Sequence, residues 1–238
     1  GGMALTHGHF AISGGLGGLG LRAAMLCIER GACGVLLSSR SGRVMRDGQG
    51  LEAQLRSMHT VATVVACDSS DSQSASALLS TERLDGVLHA AGVLRDKMLR
   101  SMVAGDLAEP VAPKALTASH VHAVVLSAPL EALGLFSAVA ATFGNVGQAN
   151  YSAANSYLDA FALCCRLGGQ LCSSLQIPAV AGAGMGAITF AKEDLEAMGA
   201  ISLDHFATCL FISISPSHGA VEKTQAPLSQ ALLQMVVT

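Results

Sequence analysis

The sequence predicts an α/β fold, a parallel sheet with helices on both faces, and three observations carry the prediction. Apolar runs of strand length recur along the chain, helix-compatible segments separate most of them, and a glycine-rich stretch joins the first run to the first helix. The runs are apolar throughout rather than alternating, the pattern of strands buried on both sides. At 238 residues the chain can bury a substantial core, and no repeat, linker or low-complexity block divides it, so one domain over 1–238 is expected.

The elements follow in order. "HFAIS" (9–13) is the first strand, and behind the glycines "LRAAMLCIERGA" carries Leu21, Ala24, Met25 and Ile28 at helical spacing. "GVLLSS" (34–39), "TVATVVAC" (60–67) and "DGVLHAAG" (85–92) are the second, third and fourth strands. "LEALGLFSAVA" (130–140) is the fifth, a helix runs from Gly144 to about Leu167, and "SSLQI" (173–177) is the sixth. Next come "PAVAGAGMGA", mobile by composition, and a polar helical segment, "KEDLEAMG". Residues 183–211 are thereby placed to close over a ligand, and 212–238 show no clear pattern.

Composition narrows the function. Apolar residues make up 51% and charged residues 13%, which is oily for a free-standing soluble protein, yet no stretch runs the roughly 18 uncharged apolar residues of a membrane span. The excess apolar surface is expected to meet other protein. A net charge of -3 provides no basic field for nucleic acid. The seven cysteines are scattered and form no CxxC pair, so they read as small buried hydrophobes in a reducing, cytoplasmic compartment. "GGMALTHGHF" lacks the basic and apolar regions of a signal peptide. His7 with His9 and His120 with His122 would each share one face of a strand, but no carboxylate or cysteine completes a metal set, so solvated pairs and no metal are expected.

"SGGLGGLG" comprises Ser13, Gly14, Gly15, Leu16, Gly17, Gly18, Leu19 and Gly20. Glycines at a strand-to-helix turn let backbone approach a pyrophosphate, which then sits on the free N–H groups and positive dipole end of the helix. NAD-preferring folds place a carboxylate about 20 residues further on to hold the ribose 2′-hydroxyl. Here the second strand ends in "LLSSRSGR", so Arg40, helped by Arg43, is suited to a 2′-phosphate, and NADPH is favoured over NADH. Asp68, in "ACDSSD" after the third strand, offers an acceptor for the adenine amino group.

"SGGLGGLG", "SSRSG", "CDSSD", "LHAAGVL", Lys114 and "GQANYSAANSYLDA" occur in this order and together resemble the ketoreductase domains of polyketide synthases, within the short-chain dehydrogenase/reductases. The similarity runs from about Phe10 to Leu203. It implies a Rossmann-like doubly wound sheet of about seven strands, NADPH as hydride donor, and a β-ketoacyl substrate on the phosphopantetheine arm of an acyl carrier protein. A structural ketoreductase subdomain and other synthase domains are the further partners it implies; the preceding subdomain is not found in this sequence, and the surface it covers would account for the oily composition. The cofactor residues it implies are Ser13, Gly14, Gly15, Leu16, Gly17, Gly18, Leu19, Ser39, Arg40, Asp68, Ala90, Ala91 and Gly92, with Lys114 and Tyr151.

Tyr151 matches the family's catalytic tyrosine. Hydride arrival at a ketone carbon leaves an alkoxide that must gain a proton, and a positioned phenol can supply it. A free phenol has a pKa near 10, so a neighbouring cation is expected to lower it, and Lys114, 37 residues earlier, is the candidate. Most other short-chain reductases carry the lysine four residues after the tyrosine, where this chain has Asn155, on the same helical face and suited to holding Lys114 or a relay water. Tyr157 lies about 240° around the helix from Tyr151 and is expected to pack in the core.

Two departures stand out. Thirteen residues before Tyr151 the family has a serine that hydrogen-bonds the substrate carbonyl; here "FSAVAA" puts Ala138 there. Ser137 should face the other way on the strand, leaving Thr142 as a stand-in if the next loop bends inward. Ile177 and Pro178 replace the family's Trp-Gly pair. For substrate and stereocontrol the resemblance points to Asp96, Gln148 and Met185: Asp96 keeps the last acid of an "LDD" motif, Gln148 stands where the opposite stereotype has tryptophan, and both point to a 3R-hydroxyl, against Arg95. The alternative reading is a catalytically impaired nucleotide-binding or scaffolding module; a reductase or epimerase acting on a free small molecule is a third.

Overall fold

The computed structural model describes residues 8–44, 50–80, 83–126, 128–184, 193, 195 and 199–215. The strands are β1 His9–Ser13, β2 Gly34–Ser39, β3 Ala62–Ala66, β4 Gly86–His89, β5 Ala132–Ala138 and β6 Cys172–Ile177. All pair in parallel, in the order β3-β2-β1-β4-β5-β6. The order reverses between β1 and β4, and the crevice beyond the strand ends at such a reversal is where doubly wound sheets bind ligands. Ser13 is level with both Ser38 and His89, so three strands end together at that crevice.

Alternate strand residues feed two cores, which is why the runs are continuously apolar. Phe10, Ile12, Leu37, Leu88 and Phe136 pack with α1 (Gly18–Glu29), α2 (Leu51–Ser57) and α8 (Leu203–Ile214) on one face. Ala11, Leu36, Val87 and Leu135 pack on the other with α3 (Ser72–Leu79), α5 (Thr117–Val125) and α7 (Ala149–Leu167). β3 is the exception: it is an edge strand and exposes Val64, so its apolar run does not mean burial on both sides.

The described residues hold six strands rather than about seven. Several strands are shorter than their apolar runs, and α7 begins at Ala149 rather than Gly144, because Gly144 (φ 70°) and Gly147 (φ 78°) take left-handed conformations that no helix continues. Residues 203–211, expected in a lid, instead open α8, whose Phe206, Leu210, Phe211 and Ile214 are buried core. Met185, most of "KEDLEAMG" and 216–238 lie outside the described residues.

His120 and His122 lie on a helix, not a strand, so they do not share a face; His122 bonds Gln170 Oε1 (2.6 Å) and meets Phe161 edge-on. Among the described residues no helix is long and apolar enough to cross a membrane, and no cluster of three or more His, Cys, Asp or Glu could hold a metal. All seven cysteines are unpaired.

Candidate active site

The first half of the crevice is built from backbone. Gly14, directly after β1, has φ 71°, and a Cβ there would lie 2.5 Å from Ala91 N, so only glycine lets the turn close against the end of β4. A Cβ on Gly20 would lie 2.4 Å from Gly14 O, which is how α1 starts so close beneath the turn. Gly18 admits the backbone of Gly184 in the same way, with 2.5 Å to its N. The N-terminus of α1 has neither a side-chain cap nor an acid in its first turn, so its N–H groups and dipole suit an anion.

Arg40 and Arg43 are exposed just beyond β2. Ser39 Oγ is buried without a protein partner, an acceptor or donor awaiting one. Asp68 is exposed, and its Oδ1 is taken up by Ser70, whose N–H (3.0 Å) and Oγ (2.6 Å) both bond it. The glycine cradle, the uncapped helix, the orphaned hydroxyl and the cation beyond β2 together fit a nicotinamide dinucleotide.

The second half is built from buried polar side chains. Pro113 has no N–H to continue α4 (Ala104–Val111), and the backbone widens into a π turn over Ala112–Leu116. That turn carries Lys114 inward, 3% exposed, where its Nζ donates to Phe136 O (2.8 Å) and lies 5.5 Å from the Tyr151 ring centroid. Burial lowers its pKa to about 8, against the attraction of Asp159.

Tyr151 sits in the first turn of α7, next to Asn150, which is fully buried. Asn150 Nδ2 donates to Arg95 O (2.8 Å) and Asp106 O (2.7 Å), and its Oδ1 accepts from Tyr151 N (2.8 Å). The helix start is thereby fastened to the 94–97 loop and α4. The same loop donates Lys97 N to Gly147 O (2.7 Å), and Gln148 Nε2 donates to Asp96 Oδ2 (3.0 Å). Asp106 pairs with Lys97 (2.7 Å) and Arg95 (3.4 Å); the Lys97 hydrogen bond above all holds its pKa at about 2.

Three site expectations change. The Tyr151 pKa is raised, not lowered: desolvation outweighs the opposing Asn155 contact, and the Lys114 ammonium is directed to a carbonyl. Asn155 does not hold Lys114; its Nδ2 donates to Tyr151 O (2.8 Å), while its Oδ1 is buried without a partner. Thr142 does not bend inward: exposed, it donates to Gln176 Oε1 (2.8 Å) at β6.

Ala138 does fall in one small apolar cluster with Tyr151, Leu94 and Ala140, the first residue of α6 (Ala140–Phe143). Ser137 points away, with its Oγ on Asn155 O (3.3 Å). Tyr157 also points away, but it is 40% exposed rather than core, bonding Ser119 (2.8 Å) and stacking on Phe161.

The residues the sequence reading missed are His89 and Asp106, with the anchoring role of Asn150. His89 bonds Ser13 Oγ (2.6 Å) and Lys114 O (3.0 Å). A histidine inside the otherwise apolar "GVLHAAG" strand was the available signal.

A glycine turn at the reversal of a parallel sheet, facing a buried lysine and tyrosine, defines a nicotinamide-dependent oxidoreductase of the short-chain dehydrogenase/reductase fold. The KR domain model matches residues 8–182, and the chain belongs to this family, the ketoreductase domains of polyketide synthases. Polyketide synthase GfsA of Streptomyces halstedii is 37% identical over 177 residues, 73% of this chain and 2% of that protein. Reducing polyketide synthase PKS1 of Cochliobolus heterostrophus is 34% identical over 229 residues, 94% of this chain and 9% of that protein. A solved A-type ketoreductase from a modular polyketide synthase superposes with a TM-score of 0.78 at 31% identity, over 91% of this chain and 47% of that one. A short-chain dehydrogenase/reductase from Brucella melitensis shares the fold over 93% of this chain and 95% of that one, with a TM-score of 0.75 at 15% identity. The chain thus spans about half the length of the solved ketoreductase and a small part of the synthases.

Proposed function

We propose that this domain reduces a β-ketoacyl thioester, carried on the phosphopantetheine arm of an acyl carrier protein, to the β-hydroxyacyl thioester, with NADPH as cofactor. One observation carries the reading: Tyr151 shares a small buried cluster with Ala138, the last residue of β5, and the Lys114 ammonium stands 5.5 Å from its ring centroid. Family membership supplies ketoreduction in polyketide synthesis; the carrier-bound substrate and the choice of NADPH rest on the resemblance and on Arg40.

When bound, NADPH supplies the hydride. The chain's own residues do the rest. Ser13, the glycine turn and Ala90 to Gly92 would hold the dinucleotide, Ser39 and Arg40 would take its 2′-phosphate, and Asp68 would serve the adenine amino group. Tyr151 is kept neutral by its burial, the state a proton donor needs, and gives its hydroxyl proton to the alkoxide oxygen. Lys114 supplies the positive charge next to the phenolate this leaves, and Asn155 Oδ1 is an open acceptor for a relay water. Asp96 and Gln148, bonded to one another, shape the substrate mouth; Met185 is assigned there by resemblance alone. Other synthase domains in a reducing, cytoplasmic setting complete the assembly.

A second reading has its own observation. Ala138 presents a methyl group where the family has a hydroxyl, and Ser137 and Thr142 are both engaged elsewhere. A nucleotide-binding module with impaired turnover is consistent with that.

The deciding experiment pairs NADPH binding, read by fluorescence, with NADPH oxidation on a β-ketoacyl thioester surrogate. Binding with turnover that Tyr151→Phe abolishes is the expected result. Binding without turnover, restored by Ala138→Ser, establishes the second reading; no binding at millimolar NADPH overturns both.

A further inference from the structure

His89 closes β4 with 0% of its surface exposed, an expensive place for an imidazole unless both ring nitrogens are satisfied. They are. Nδ1 is 2.6 Å from Ser13 Oγ and Nε2 is 3.0 Å from Lys114 O. Burial first, then the Lys114 charge, hold its pKa at about 3, so the ring is neutral, with one donor and one acceptor. A carbonyl can only accept, so Nε2 carries the proton and donates to Lys114 O, and Nδ1 accepts the Ser13 hydroxyl proton.

The two partners belong to the two halves of the crevice. Ser13 is the last residue of β1, directly before the glycine turn. Lys114 lies in the π turn, and its carbonyl accepts both from the Thr117 N–H and from His89 Nε2. From that anchored backbone the side chain runs to Phe136 O and the Tyr151 ring.

We infer that His89 is a positioning residue: through the Lys114 carbonyl it sets where the Lys114 ammonium stands beside Tyr151, and through Ser13 it ties that placement to the glycine turn. The inference rests on the proposed roles of Lys114 and Tyr151.

The test reads Lys114 directly. The full chain is labelled at lysine Cε, the Lys114 resonance is assigned by its loss in Lys114→Met, and its titration is followed by NMR with NADPH oxidation measured in parallel. The groups facing that ammonium are Phe136 O, the Tyr151 ring and the more distant Asp159, with His89 behind its carbonyl, and only His89 and Ser13 are varied.

His89→Leu is expected to move the Lys114 midpoint by about one pH unit and to slow turnover about 10- to 100-fold, the scale of a misplaced catalytic group. His89→Gln, which keeps a donor at the Nε2 position, should restore most of both, and Ser13→Ala should move the midpoint in the same direction but less. An unchanged Lys114 midpoint in folded His89→Leu overturns the inference, as does a His89→Gln variant no better than His89→Leu. Should His89→Leu fail to fold, His89→Gln with the wild-type midpoint and Ser13→Ala with a shifted one support it, and an unshifted Ser13→Ala overturns it. A wild-type chain without turnover, whose Lys114 midpoint still responds to His89→Leu, sinks the catalytic reading while the placement of Lys114 by His89 stands.

Discussion

The two halves of the crevice solve different physical problems. The glycine-turn half presents backbone: its residues are small, its positions are set by what a Cβ would strike, and its helix end is left uncapped. The β5–α7 half presents side chains, with Lys114, Asn150, Asn155 and His89 all sealed from solvent and tied into hydrogen bonds. Recognition of a pyrophosphate needs many weak, directionally similar N–H groups, which any chain can offer once side chains are out of the way. Moving a proton needs a few groups at set distances, and that requires scaffolding on all sides.

Substitutions should therefore fail differently in the two halves. The largest effect is expected from Tyr151→Phe, which removes the proton and should slow NADPH oxidation by about 10²- to 10⁴-fold while leaving NADPH binding unchanged. Weakened binding of comparable size would show that the halves are not separable. Ala138→Ser restores a donor beside the phenol and should raise turnover about 10²- to 10³-fold, measured on the same thioester. No gain would mean that the hydroxyl cannot reach the carbonyl from this strand end.

In the other half, Arg40→Ser should reduce the preference for NADPH over NADH by about tenfold, the worth of one charged hydrogen bond, without altering turnover at saturation. Gly14→Ala forces a Cβ into the Ala90–Ala91 backbone at positive φ and should cost about 1–3 kcal/mol by urea denaturation. A pH slope of no more than about 1.4 kcal/mol per unit at any one pH is shared by both halves through His89. Its folded pKa of about 3 is below the unfolded 6.5, so the unfolded chain binds the extra proton between them, and this contribution is intact above 6.5 and lost as pH falls toward 3. His89→Leu should flatten the stability profile by that slope.

The helix that carries Tyr151 shows how far a local pattern reaches. Spacing along "YSAANSY" separates Tyr151 from Tyr157 correctly, because helical periodicity is a property of the segment itself. The same spacing assigns Asn155 to Lys114, and here it fails: Asn155 bonds the carbonyl one turn back, and Lys114 bonds a strand carbonyl that no sequence separation reveals. Strand polarity likewise placed Ser137 and Ala138 on opposite sides, whereas the fate of Thr142 depended on Gln176, from the neighbouring strand.

By itself the sequence determined the parallel α/β sheet, the order of its strands along the chain and the glycine turn, since apolar periodicity and glycine tolerance are written residue by residue; Tyr151, Lys114 and Ala138 it singled out only through the family resemblance. Only the tertiary structure decided that Lys114 is buried against Phe136, that the Tyr151 pKa rises rather than falls, that Phe206, Leu210 and Phe211 are core, and that His89 joins the two halves. Those outcomes come from desolvation and from hydrogen bonds between distant segments, and neither exists until the chain has closed on itself.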